Sequence, residues 1–335
     1  MKNTLVTGAT GFLGTHLLER LREEGANVRV LSRSDEVEGV ETVRGSVEDE
    51  SAVARALENV DRVYHLAGKV SRNRDDAREM YRLHVEATAL LCRLAKAKGV
   101  ERIVLASTSG TIAVSDSPDS IADETARPPL EWIGKWPYYT SKLYQEQTAL
   151  RECEGGPELV ILNPSLLLGP GDKRLSSTED ILKFVAGDIP VVPPGGINFV
   201  DVRDVAAAFV AAMSMGRASE RYLLGGPNWS FGTFFEKLER ISHVRGPRLR
   251  LPEPVYAFAG KAADALFRKL DRTPPVDRVS VEMGERFWYL DCSKAQRELD
   301  FRARDPYETL FDTVSFVKKE FLGENLLPRR DGARR

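Results

Sequence analysis

A tyrosine and a lysine stand four positions apart in the segment WPYYTSKLYQEQ, residues 136–147. If Pro137 begins a helix, Tyr138 and Lys142 lie on one face of its first turns. A phenol has a pKa of about 10, which must fall to about 7 before it exchanges protons near neutrality. The attraction between the phenolate and a lysine charge at ~4 Å supplies roughly the free energy that this pKa change requires. The pair therefore predicts a proton donor for a carbonyl group, whereas Tyr139, about 100° further round the helix, is expected to face the core.

A hydroxyl group that polarises the carbonyl would complete such a site. The stretch RIVLASTSG is typical of a strand that ends in hydroxyl side chains. Thr108 and Ser109 then lie at the carboxyl end of a central strand, where open α/β sheets bind their ligands. Side chains alternate across a strand, so only one of the two can face the reacting atoms. Both residues are candidates.

A glycine-rich turn opens the chain. Gly8, Gly11 and Gly14, in NTLVTGATGFLG, lie between a predicted first strand and a predicted first helix. The pyrophosphate of a dinucleotide needs backbone N–H groups at close approach and the positive end of a helix dipole. Side chains would block that approach, and the third glycine lets the helix pack closely on the strand. The turn predicts a dinucleotide cofactor.

Arg33 indicates which dinucleotide is bound. It follows the predicted second strand, NVRVLS, where an NAD site usually has a carboxylate for the ribose 2′-hydroxyl. An arginine would pair with the 2′-phosphate of NADP and favour it by about ten- to a hundredfold. Asp35 and Glu36 come just beyond and could hold a ribose hydroxyl. The prediction is NADP(H), with NAD(H) as the alternative.

Strands and helices alternate through the first half of the chain. Apolar runs such as DRVYHLAG and ERIVLASTS are separated by helical patterns, of which DAREMYRLHVEATALLCRLAKAKG is the longest. This alternation predicts the α/β class, as a Rossmann-type doubly wound parallel sheet with a smaller C-terminal substrate-binding part. The expected divisions are an NADP-binding domain (1–165, with segments around 198–225 returning to it), a mainly substrate-binding part (166–325) and a flexible basic tail (326–335).

Composition excludes several classes of protein. The 335 residues are 42% hydrophobic with a net charge of −2, which does not favour nucleic acid as a partner. Three scattered cysteines argue against a disulfide framework or a zinc site, so no metal is expected. We expect no signal peptide, because the N-terminus leads directly into a strand, and no membrane span, because the apolar runs are short. The expected location is the cytoplasm.

Together, these motifs resemble those of the extended short-chain dehydrogenase/reductase superfamily. Later segments are similar to the dihydroflavonol-4-reductase-like branch, which also contains 3β-hydroxysteroid dehydrogenase-like enzymes. The resemblance covers nearly the whole chain and is far more specific for the superfamily than for the substrate. Its segments are TGATGFLG, VYHLAG, VLASTSG, YYTSK, LNPSLLLGPGD, NFVDVRDVA and RYLLGGPNWSFGTFFEKLERIS.

The resemblance implies a catalytic triad of Thr108, Tyr138 and Lys142, in which Lys142 also holds the nicotinamide ribose. Most relatives have serine at the position of Thr108, asparagine at that of His84 and often aspartate at that of Ser46, so these are departures. The implied cofactor residues are Gly8, Thr10, Gly11, Phe12, Leu13 and Gly14 in the loop, Arg33, Ser46 and Val47 near the adenosine, Leu66, Ala67 and Gly68 along the cofactor, and Tyr138, Lys142, Pro164, Ser165 and Leu166 near the nicotinamide.

The predicted function is an NADP(H)-dependent oxidoreductase that reduces a ketone or aldehyde, or oxidises the secondary alcohol. The apolar stretch LPEPVYAFAGKAADALF suggests a medium-sized, partly apolar substrate. One alternative is a nucleotide-sugar epimerase or dehydratase that retains NAD(P), and another is a non-catalytic NADP-sensing regulator. Relatives dimerise through the two long helices, so the resemblance also implies a homodimer.

Overall fold

The computed structural model describes residues 2–33, 36–251, 256 and 278–324. Asp35, the tail 326–335 and all of LPEPVYAFAGKAADALF except Leu251 and Tyr256 lie outside these residues. The described strands are β1 (Asn3–Thr7), β2 (Asn27–Ser32), β3 (Glu41–Arg44), β4 (Arg62–His65), β5 (Arg102–Ala106), β6 (Glu158–Pro164), β7 (Leu166–Leu168), β8 (Val191–Val192), β9 (Gly196–Asp201), β10 (Glu220–Leu224), β11 (Asn228–Ser230) and β12 (Leu249–Arg250).

Helices cover the strands and fill the connections. The described α-helices are α1 (Phe12–Glu23), α2 (Glu50–Ala56), α3 (Ala77–Tyr81), α4 (Ala87–Ala97), α5 (Leu130–Ile133), α6 (Pro137–Cys153), α7 (Glu179–Ala186), α8 (Val202–Met215), α9 (Phe231–Ser242), α10 (Arg278–Gly284), α11 (Ser293–Leu299) and α12 (Pro306–Val317). None of the described helices is long and apolar enough to cross a membrane.

The central sheet is parallel throughout. In the described part of the chain it has seven strands in the order β10-β6-β5-β4-β1-β2-β3, and each neighbouring pair is parallel. The strand order reverses between β1 and β4, and ligands bind at such a switch point, beyond the carboxyl ends of the strands. The predicted Rossmann-type fold is confirmed.

Both faces of the sheet are buried under helices. Helices α1 and α8 pack together on one face, where Leu17 and Phe209 are fully buried. Helices α2, α4 and α6 cover the other face with residues such as Leu57 and Leu91. This two-sided burial explains why the strands are continuous apolar runs rather than alternating ones.

The longest predicted helix is interrupted. Its first part is α3 and its last part is α4, and between them Arg82–Glu86 forms a widened π-helical turn. Turns of this kind are frequent at functional sites, and this one contains His84.

The second half of the chain divides its elements between the two parts. Strand β10 extends the central sheet beside β6, and α8 packs against α1. Strand β9 instead forms a small sheet with β7 and β11. Helices α7, α9 and α12 pack around this sheet with a separate aromatic and aliphatic core.

Candidate active site

One cleft of about 1870 Å³ opens at the carboxyl ends of the central strands. It passes from the glycine turn to the small sheet, so both halves of the chain form its walls. The residues predicted from sequence that line it are Gly8, Thr10, Gly11, Phe12, Leu13, Gly14, Arg33, Leu66, Gly68, Thr108, Tyr138, Lys142, Pro164, Ser165 and Leu166.

Three of the residues expected to bind the cofactor do not line this cleft: Ser46, Val47 and Ala67. The Ser46 hydroxyl accepts a hydrogen bond from the Glu48 amide at 3.2 Å, in the turn before α2. Val47 is 6% exposed and packs in the core, and Ala67 packs against the same core. The local turn and the apolar core occupy these side chains.

The glycine turn leaves space that side chains would fill. Gly8 has a φ of +73°, and a Cβ there would lie 2.6 Å from the Ala67 nitrogen. A Cβ on Gly14 would lie 2.2 Å from the Gly8 carbonyl oxygen. Helix α1 begins after Gly11, where no side chain caps its first turn among the described residues. The first N–H groups of α1 therefore remain available to an anion, as a dinucleotide pyrophosphate requires.

Ser165 lines the same cleft. Its side chain is 7% exposed, and its Oγ has no hydrogen-bond partner within the described part of the chain. An unsatisfied buried hydroxyl costs about 1–3 kcal/mol, so a polar group of a ligand is expected to meet it. The open glycine turn and this unpaired hydroxyl, which line one cleft, are both features that a bound dinucleotide would satisfy.

Helix α6 begins at Pro137 as its sequence predicts and carries Tyr138, the candidate proton donor, in its first turn. Burial raises the pKa of Tyr138, the neighbouring Tyr139 raises it further, and a hydrogen bond with Thr108 opposes both effects. The expected lowering by Lys142 is not found. The Tyr138 phenol is therefore neutral at physiological pH and keeps the proton that a donor must supply.

Two acceptors fix the position of the Lys142 ammonium. Its Nζ donates to the Ala106 carbonyl oxygen and to Gln145 Oε1, both at 2.7 Å. Burial lowers its pKa to about 8, against the charge of Glu146, which raises it. These contacts fix a buried ammonium group at the floor of the cleft.

Thr108 is the hydroxyl that contacts Tyr138. It follows β5 and precedes the short 3₁₀ turn Ser109–Thr111, whose Gly110 amide donates to Thr108 Oγ1. Its hydroxyl opposes the rise in the Tyr138 pKa, and both residues line the cleft. Ser109 also lines the cleft and is 4% exposed.

Tyr139 packs against a buried apolar cluster, in line with the expectation, and it also lines the cleft. Its ring lies 5.0 Å from that of Tyr138 and 5.1 Å from that of Trp288, measured between centroids, and it lines the cleft. Gly110 makes this possible, because a Cβ there would lie 2.1 Å from the Tyr139 ring. The first turn of α6 sits at the cleft edge, so the aromatic cluster that buries Tyr139 is itself a wall of the site.

Other residues of the site were not identified from sequence. Arg72 donates to both carboxylate oxygens of Asp180, at 3.1 and 2.6 Å, and so joins the loop after β4 to α7 across the cleft. Trp288 belongs to the aromatic wall, and its only sequence signal is the density of aromatic residues in RFWYL. Contacts between such distant segments leave no local pattern in the sequence.

Glu146 could have been identified from spacing, because it follows Lys142 by one helical turn. The carboxylate is fully buried. Its Oε1 accepts hydrogen bonds from Asn163 at 2.7 Å, from Thr111 at 3.1 Å and from the Ser107 hydroxyl. Its Oε2 lies 3.2 Å from an Arg221 nitrogen. This carboxylate is the negative charge that keeps the Lys142 pKa from falling further.

A parallel doubly wound sheet with a glycine turn and a Thr–Tyr–Lys constellation in one cleft defines an extended short-chain dehydrogenase/reductase. Among the described residues, no group of three or more His, Cys, Asp or Glu side chains could hold a metal ion. The chain belongs to the NAD dependent epimerase/dehydratase family, whose model matches residues 4–225. The predicted superfamily and the prediction of an enzyme are both confirmed.

Relatives match the chain over nearly its whole length. "Sterol demethylase protein B" of Methylococcus capsulatus is 31% identical over 94% of this chain and 98% of its own length. A "putative dihydroflavonol 4-reductase" of Synechocystis is 32% identical over 93% of this chain and 94% of its own. The crystal structure of gox2253 is similar with a TM-score of 0.83 and 28% identity, over 96% of this chain and 99% of that one. The family includes both reductases and epimerases.

Proposed function

We propose that this enzyme is an NADP(H)-dependent oxidoreductase that reduces a ketone or aldehyde of a medium-sized, partly apolar substrate, or oxidises the corresponding secondary alcohol. The observation that carries the proposal is that Tyr138, Thr108 and Lys142 line the same cleft as the glycine turn. A protonated phenol suits proton donation to a carbonyl oxygen.

Each residue has a distinct part in the proposed reaction. The nicotinamide, when bound, supplies the hydride that reaches the carbonyl carbon. Gly8, Gly11 and Gly14 admit the pyrophosphate to the amides of α1. Tyr138 gives its phenolic proton to the carbonyl oxygen. The Thr108 hydroxyl donates a hydrogen bond to the same oxygen, and the Lys142 ammonium holds the nicotinamide ribose.

The walls of the cleft support an apolar substrate. Beside Tyr138 they are aromatic, with Trp136 and Trp288 stacked at 5.5 Å between ring centroids. On the side of the small sheet they include Ile197, Phe231 and Phe234. The names of the two relatives fit this chemistry, since a sterol and a dihydroflavonol both carry fused rings with few charges.

The family description favours one alternative, a nucleotide-sugar epimerase or dehydratase that retains NAD(P). Such an enzyme would use the same Tyr138 and Lys142. A non-catalytic NADP-sensing regulator has less support, because it would not require the Thr108–Tyr138 contact.

A panel of carbonyl compounds tests the proposed function. We expect NADPH oxidation, followed at 340 nm, with cyclic and aryl ketones or aldehydes, and NADP⁺ reduction with the matching alcohols. UDP-glucose should not be converted to its epimer, and the purified protein should carry no cofactor absorbance. A protein that is purified with bound NAD(H) and interconverts nucleotide sugars would establish the alternative instead.

Cofactor preference is expected to depend on Arg33. This residue follows β2, is exposed and lines the cleft, where its guanidinium can pair with a 2′-phosphate. Fluorescence titration should show NADPH bound at least about tenfold more tightly than NADH, and Arg33→Asp should abolish or reverse the preference. The matched control is Arg44→Asp at the end of β3, outside the cleft lining. Equal affinities in the wild type would remove this role from Arg33.

We also propose that the enzyme is a cytoplasmic homodimer. Helices α4 and α6 pack together. On this face Tyr81 is 45% exposed and Tyr144 is 47% exposed, and their ring centroids lie 6.5 Å apart. An exposed aromatic pair on this helical face supports an interface between two copies of the chain.

A further inference from the structure

His84 lies in the widened turn Arg82–Glu86, between α3 and α4. Its side chain is fully buried but borders the cleft, and its ring meets the Tyr138 ring edge-on at 5.9 Å between centroids. The turn directs His84 toward both the loop after β4 and the first turn of α6.

The hydrogen bonds of His84 fix the position of its ring proton. The Lys69 backbone N–H donates to Nε2 at 3.0 Å, so Nε2 carries no hydrogen. Nδ1 therefore carries it and donates to Ser141 Oγ at 2.8 Å. Burial and the charge of Lys142 lower the pKa of His84 to about 2, which keeps the imidazole neutral. The residue accepts at one nitrogen and donates at the other without titrating.

Ser141 extends this bridge to the proton donor. Its Oγ donates to the backbone carbonyl oxygen of Tyr138 at 2.8 Å. The hydrogen bonds thus form a continuous path from the Lys69 amide through His84 and Ser141 to Tyr138. The path connects the loop after β4 to the helical turn that carries the phenol.

The loop can reach His84 because it contains Gly68. A Cβ at that position would lie 3.1 Å from His84 Nε2, closer than side chains ordinarily pack. Leu66 and Gly68 of this loop line the cleft. The position of His84 therefore also sets how far this wall of the cofactor-binding region stands from α6.

We propose that His84 is a positioning residue that couples the cofactor-binding loop, residues 66–69, to the proton donor Tyr138. The inference rests on the proposed function, in which this loop contacts a dinucleotide and Tyr138 donates a proton. His84 touches neither reacting atoms nor protons in transit. It sets the separation between the hydride source and the phenol, on which the rate of transfer depends steeply.

Two substitutions separate the two hydrogen bonds. His84→Asn keeps an amide N–H near the position of Nδ1 for Ser141 but is too short to accept from the Lys69 amide. His84→Gln places an amide oxygen near the position of Nε2 for Lys69 but gives up the donor to Ser141. The control is Glu86→Gln, an exposed residue in the same turn.

The measurements are NADPH affinity by fluorescence titration and kcat at saturating NADPH. His84→Asn should weaken NADPH binding about tenfold, the effect of one lost buried hydrogen bond, and lower kcat by less than about threefold. His84→Gln should bind NADPH within about threefold of the wild type and lose about tenfold in kcat. Ser141→Ala should reproduce the His84→Gln pattern, and combining the two should add little, because both break the same link.

The affinity measurement decides the proposal, and it needs no substrate. If His84→Asn binds NADPH as the wild type does, or if His84→Asn and His84→Gln lose affinity equally, the bridge does not position the loop and His84 only packs. Thermal unfolding of each variant identifies a general loss of stability. Failure of the proposed function looks different: the wild type would reduce no carbonyl compound, while His84→Asn would still weaken dinucleotide binding.

Discussion

Tyr138→Phe should lower turnover by about a hundredfold or more, the usual effect of removing a general acid. The substitution deletes only the phenolic oxygen, so the edge-on contacts of the ring with His84 and Tyr139 remain. Folding and NADPH affinity should therefore survive. Steady-state turnover with a carbonyl substrate, alongside a separate NADPH titration, measures the effect.

The control variants for Tyr138 and Thr108 are Tyr139→Phe and Ser109→Ala. Tyr139→Phe should lower turnover far less, because the Tyr139 ring forms a wall of the cleft and the substitution keeps that ring. Burial raises the pKa of Tyr139 to about 12, so its phenol keeps its proton. Thr108→Val should lose more activity than Ser109→Ala, because the Thr108 hydroxyl contacts the phenol. A Tyr138→Phe enzyme that retained most of its turnover would mean that the aromatic cluster is packing alone.

Lys142→Met should reduce turnover by about a hundredfold and NADPH affinity by about tenfold. The ammonium is fixed in the floor of the cleft by Ala106 and Gln145, at 2.7 Å from each acceptor. In the proposed function this ammonium holds the nicotinamide ribose, so its loss should both weaken cofactor binding and misplace the hydride source. Turnover and NADPH affinity, determined separately, should both fall, whereas Lys98→Met, at an exposed position after α4, should change neither.

The pH dependence of the wild type follows from the same lysine. Burial depresses its pKa from 10.5 to about 8, so activity should fall as pH rises through about 8 and the ammonium loses its proton.

The stability of the folded chain should instead increase with pH. From about pH 8 to about 10.5 the unfolded chain binds more protons at this site than the folded one, so the free energy of unfolding rises with pH across that window. Lys142→Met should lack both effects, and a descending limb that persisted in this variant would assign it to another group.

Local spacing was enough to predict the parts of the site that lie on one element. Tyr138 and Lys142 are one turn apart on α6, and Gly8, Gly11 and Gly14 lie in one β1–α1 turn, so periodicity and turn chemistry identified them. The parallel sheet was predictable for the same reason, since alternating strands and helices impose it.

The prediction failed where distant segments decide the environment of a side chain. The Tyr138 pKa depends on how deeply the phenol is buried, which is not encoded in helical spacing. Helical phase predicted the direction of Tyr139, but it could not show that the cluster against which this ring packs also forms a wall of the cleft. Trp288 comes from a segment far along the chain. The interrupted helix at His84 likewise follows from tertiary hydrogen bonds to Lys69 and Ser141.

The pairing of β10 with β6 has a consequence for how the chain reaches its native state. Until residues 202–224 have left the ribosome, β6 has a bare edge, and the apolar face of α1 lacks the partner that α8 provides. An unpaired apolar strand edge invites association with other chains. A fragment that ends near residue 165 would therefore expose both surfaces, although it contains the glycine turn, Tyr138 and Lys142. Because elements from both halves of the chain complete the central sheet and its helical cover, we expect the two halves to fold together rather than in stages from the N-terminus.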